Sequence, residues 1–147
     1  MHRNNYLRLL GMTLLSFISM YVFMYAMVNT FANVLSSLNQ VYMAGLMTAP
    51  MVLIELLLMG GMYENKRFNA AIAAASVIAM IGFFVLIRQQ VAITDRQFLR
   101  SMIPHHAGAI LMCQNAPLQA AELKQLCRSV VTSQEAEIAQ MRALLEK

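Results

Sequence analysis

The sequence predicts an all-α protein, a bundle of three transmembrane helices followed by a helical hairpin, and three observations lead there. Of 147 residues, 59% are apolar and 12% are charged, about half the charged share of an ordinary soluble domain. Residues 9–54 contain no Asp, Glu, Lys or Arg. After Ile93 the chain turns polar while apolar residues keep a helical period. The first two observations exclude a water-soluble protein, and the length leaves room for only one or two small units. A net charge of +4 comes without any basic patch interleaved with aromatics. The bilayer is therefore the expected partner, and nucleic acid is not.

A hydrocarbon core roughly 30 Å thick takes about 20 apolar residues as helix. Three stretches qualify, residues 9–28, 41–63 and 68–87, and they make residues 1–90 a membrane domain. Arg3 and Arg8 before the first stretch give it a signal-peptide look. Its apolar run exceeds the about 7 to 15 residues of a signal core, so a retained helix is expected. Arg3, Arg8, Lys66 and Arg67 fall on one side of an up-down-up bundle, while the connection 29–40 is uncharged. By the positive-inside rule the amino terminus is cytoplasmic and residues 91–147 are external, periplasmic in a bacterium.

In the second span Met43, Met47, Met51, Glu55, Met59 and Met62 recur every three or four residues and share a face, with Pro50 as a kink. Met as flexible filler explains that face. A thioether track for a soft cation around Met43, Met47, Met51 and Glu55 is the alternative, because an ionisable group at membrane depth is often functional. In the third span Ala70, Ala71, Ala73, Ala74, Ala75 and Ser76 are small enough to let helices approach closely.

The external part reads as two helices. Thr94 and Gln97 have capping-box spacing and Asp95 suits a first turn, which starts a helix over 95–114. Asn115, Ala116 and Pro117 break it, and a second helix follows over 119–145. Folding these antiparallel sets Cys113 near Cys127, His106 near Gln134, and Met102 near Ile138, Glu137 and Met141. Fifty-odd residues of hairpin bury too little core to stand alone. Dimerisation into a four-helix bundle is the expected completion, with docking onto the membrane helices as the competitor.

Met102-Ile103-Pro104-His105-His106, continuing to Ala109, Ile110 and Met112 and followed by Gln134, Glu137, Ile138 and Met141, resembles the ferritin-like bacterial family catalogued as domain of unknown function 305. The resemblance covers residues 94–147. It implies a ferritin-like, extracytoplasmic module that binds copper through Met and His. The implied ligands are Met102, His105, His106, Met112 and Met141, with Gln134 and Glu137 as auxiliary groups. This chain has one hairpin where some members have more, and three spans where others have a secretion signal. Storage is thereby less expected than a tethered role at the inner membrane.

The donor chemistry agrees with that implication. Thioether and neutral imidazole suit copper, Cu(I) more than Cu(II), whereas magnesium and calcium want oxygen and structural zinc uses Cys, His and carboxylate. Adjacent His105 and His106 point about 100° apart on a helix, so one faces the site and the other its edge. Packing histidines and core methionines remain the plain alternative. A di-iron bundle needs Glu-x-x-His pairs, and no Glu here precedes a His by three. Ser101 one turn before His105 lacks any oxyanion device, so no enzyme is expected. Cys113 and Cys127 are open to three readings: a disulfide, a thiolate pair for copper, or two buried thiols. The expected function is holding copper at the external face for tolerance, sequestration or hand-over to a copper-handling partner. The alternative is a membrane scaffold whose hairpin assembles proteins without metal.

Overall fold

A computed structural model describes residues 3–147, and among them it is all-helical with no strand. Its α-helices are α1 Arg3–Phe23, α2 Leu38–Leu58, α3 Lys66–Arg88, α4 Asp95–Asn115 and α5 Ala121–Leu145. Single 3-10 turns occupy Met24–Met27, Phe31–Asn33 and Gly60–Met62. The chain forms two compact units. One contains α1 and Asn39–Val91, and the other Met24–Leu38 and Ala92–Lys147.

The stretches Asn4–Met27, Leu38–Leu58 and Lys66–Arg88, most of which fall in the first unit, are long and apolar enough to cross a membrane. The second is shorter than the sequence predicts, because α2 stops at Leu58 instead of continuing to residue 63. Gly60 and Gly61 follow at once, and two residues without side chains resist helix entropically while gaining nothing from packing. The chain turns, Tyr63 is buried, and its hydroxyl donates to Glu55 Oε1 at 3.1 Å. The Asn65 side chain then accepts from the Phe68 N–H and starts α3. Pro50 lies inside α2 without ending it.

In this unit the small residues that are buried belong mainly to α2. Ala44, Gly45, Thr48, Ala49 and Val52 are its buried positions. In the small-residue run of α3 only Ser76 is buried, which corrects the expectation that this run forms the contact. The reason is the bulk of Phe83: a Cβ on Gly45 would lie 2.5 Å from its ring, so the aromatic needs a glycine opposite. At one end of the unit, Tyr6 stacks edge-on against Phe68 at 4.8 Å and donates to Asn69 Oδ1 at 2.7 Å.

The second unit is built on α4 and α5. Ile103, Ala107 and Ile110 of α4 meet Ile138 and Met141 of α5 in its core. Cys113 and Cys127 are joined by a disulfide across the open end, with Cα atoms 5.1 Å apart. The face predicted to need a second copy is covered, at least in part, by Met24–Leu38. Val28 and Leu35 pack on the core, and a Cβ on Gly108 would lie 3.5 Å from the Met27 carbonyl oxygen. Arg142 donates to Ala32 O at 2.6 Å and Asn33 Oδ1 at 2.7 Å, and Arg100 to Ser36 Oγ at 3.2 Å. Gln97 is diverted from the predicted capping box. Thr94 does accept from the Gln97 N–H, but Gln97 Oε1 accepts from the Leu38 N–H at 2.9 Å, an amide that no helical carbonyl serves.

Two measurements test this packing. Gly45→Ala should destabilise the protein in mild detergent by about 1–3 kcal/mol, and Phe83→Leu in the same chain should recover part of the loss in thermal unfolding. Cys113→Ser with Cys127→Ser opens a cross-link spanning 14 residues. On the chain-entropy account the pair should lose about 3 kcal/mol, seen as faster amide exchange in α4 and α5.

Candidate metal centre

Thr94 and Asp95 start α4 so that Met102 and His106 fall one turn apart on the face turned toward α5. His106 is 7% exposed. Its Nδ1 lies 2.9 Å from the Met102 carbonyl oxygen and its Nε2 lies 2.6 Å from Glu137 Oε2 on α5. Both neighbours are acceptors. A neutral imidazole has only one N–H to offer, so both contacts are satisfied only when the pair carries one further proton, on the ring or on the Glu137 carboxyl. Glu137 is half exposed and keeps part of its hydration.

The partner of His106 is Glu137, not Gln134 as the hairpin register anchored on the cysteines predicts. Helix side chains lean toward their own amino terminus. His106 therefore reaches back toward Met102, away from the turn, and meets a residue one turn further along α5. The same offset sets Met102 level with Met141, each one turn beyond the His106–Glu137 pair. Met102 accordingly packs on the core that contains Met141.

The other residues expected as ligands scatter. His105 is exposed, with its ring centroid 6.1 Å from that of His106, at the rim of the seam. Met112 is 53% exposed and six residues beyond His106, about 9 Å along the axis, so it does not share the Met102 and His106 level. Cys113 and Cys127 are consumed by their disulfide. In the first unit Met43, Met47, Met59 and Met62 are exposed, and Glu55 is engaged by Tyr63. Met51 is half-buried.

Among the described residues no three His, Cys, Asp or Glu side chains gather as a metal site. The seam does hold two thioethers and one imidazole, the soft set that suits Cu(I). Sequence reading missed the contribution of Met24–Leu38 to this unit. The signal was available in its lack of charge, but uncharged linkers give no hint of where they pack.

The fold and seam define a helical protein with three helices long and apolar enough to cross a membrane and a disulfide-closed helical hairpin. Residues 56–145 match the family described as Domain of unknown function (DUF305), more than half of the chain, and the protein belongs to that family. The match reaches back through α3, well before the motif-bearing residues 94–147. The chain is also similar to "Uncharacterized protein L153" of Acanthamoeba polyphaga mimivirus, 31% identical over 147 residues, with 98% of this chain and 94% of the relative covered. That relative is viral, so it lends no support to the expected bacterial setting. No solved structure matches.

Glu137→Leu leaves the buried His106 Nε2 without its partner. A loss of about 1–3 kcal/mol is expected, read as a lowered melting temperature, with Glu137→Gln milder because an amide still reaches the ring.

Proposed function

We propose that this protein is a membrane-anchored copper-binding protein that holds Cu(I) on its hairpin at the external face of the membrane for tolerance, sequestration or hand-over. The observation that carries the reading is His106, an almost fully buried imidazole one turn from Met102 and level with a carboxylate in an otherwise apolar seam. Packing alone gives no reason for an ionisable pair there, since an apolar pair would avoid its desolvation. The residues that would hold the ion are Met102, His106 and Met141, with His105 at the rim. Bound there, copper would be retained by soft donors and kept from water by Ile103 and Ile138. The Met102 carbonyl at Nδ1 would orient the His106 ring, and Nε2 would become a ligand as the ion displaces its contact with Glu137 and the proton shared by that pair is released to solvent. No chemical transformation is assigned. The Cys113–Cys127 disulfide supports an oxidising, external location for the hairpin, and Arg8, Lys66 and Arg67 support an inward amino terminus.

Exposed Leu123, Leu126 and Met112 favour a second reading, a scaffold whose hairpin docks another copy or another protein without metal. The two readings separate in a Cu(I) competition titration of the full-length protein in mild detergent. Met102→Leu with Met141→Leu keeps the core volume while removing both sulfurs. The copper reading expects this variant to fold like wild type and to bind at least about tenfold more weakly, equivalent to about 1.4 kcal/mol. Equal affinity in the two proteins would leave the seam as packing and favour the scaffold.

A further inference from the structure

In the first unit α1, α2 and α3 do not close on one another completely. They leave an open groove of about 780 Å³. Along α3 it runs from Phe68 to Phe83, fifteen residues of helix or about 22 Å. Four hydroxyls line it, and each is already engaged: Thr13 donates to Leu9 O at 2.8 Å, Thr48 to Ala44 O at 2.7 Å, Ser76 to Ile72 O at 2.9 Å, and Tyr6 to Asn69 Oδ1 at 2.7 Å. The groove therefore offers hydrocarbon walls and no free donor. A second helix, roughly 10 Å across and 30 Å long or about 2,400 Å³, is three times too large to enter it. A single acyl chain is thin and long enough to follow it.

The ends of the groove differ. Tyr6 and Phe68 stand at the mouth, the aromatic pairing expected at headgroup level. Lys66 and Arg67 begin α3 immediately before Phe68, and both are exposed. Glu64 is the acidic residue beside them, so the mouth keeps a cationic surplus, reinforced by the amino-terminal end of a 23-residue helix. At the other end, near Phe83 and Gly45, no charged residue lines the groove.

We infer that the groove is a binding site for one acyl chain of an anionic phospholipid whose phosphate sits at Lys66 and Arg67. Apolar walls select hydrocarbon, and the cationic mouth selects the headgroup. The site shares no residue with the copper seam and stands or falls separately from it.

Native mass spectrometry of the full-length protein tests it, with added phosphatidylglycerol, phosphatidylcholine or diacylglycerol of the same chain length. One phosphatidylglycerol per chain should be retained, on the order of tenfold more strongly than phosphatidylcholine, and diacylglycerol least. Lys66→Gln with Arg67→Gln should bring the first lipid down to the level of the second. Ala75→Phe, which puts a ring into the groove, should abolish retention. Equal retention of all three lipids by wild type would overturn the site, as would unchanged retention in Ala75→Phe or a lipid-free dimer. Should Ala75→Phe fail to fold, the headgroup series on wild type and on the glutamine variant decides.

Discussion

The meeting of Ile103, Ala107 and Ile110 with Ile138 and Met141 is the contact on which the second unit depends. Two helices alone present each other with one stripe and leave the rest wet, too little burial to hold a unique arrangement. Here the stripe is enlarged from a third side by Met24–Leu38, an uncharged segment pinned by Gln97, Arg100 and Arg142. The disulfide fastens the opposite end. Held at both ends, the seam keeps a fixed register, and a fixed register is what lets a buried imidazole meet one carboxylate rather than several.

That meeting is electrostatically costly wherever it is not fully satisfied. Desolvating His106 is tolerated because both ring nitrogens have acceptors and because Glu137 stays half in water. Around the pair the environment is thioether and aliphatic, soft and low in dielectric. The family match is wider than the hairpin, since it includes α3. What the family shares therefore extends into an apolar helix as well as the polar tail.

The first unit buries little of its apolar surface within the chain. In the candidate spans of α1 and α3 only 6% of the apolar window is buried within the chain, against 28% for α2. Such surfaces are consistent with contact to hydrocarbon, where a helix satisfies its own backbone hydrogen bonds. α2 is the shared neighbour, and its small residues make room for Phe83. The Met face of α2 points outward, away from that contact, which suits flexible filler against lipid better than a lined path.

The sequence by itself determined which segments are helical: long apolar runs for the candidate spans, the Thr94 cap and the Pro117 break for the hairpin. It also determined the residue types that could carry soft-metal chemistry. Local rules sufficed there, because caps, breakers and periodicity act within a few residues. Only the tertiary structure decided which small residues form the close contact, that residues 24–38 cover the hairpin, and that His106 faces Glu137 while Met112 falls away from the seam. Each of these depends on the lean of side chains and the bulk of a distant partner such as Phe83. Neither leaves a mark in the spacing of residues along the chain.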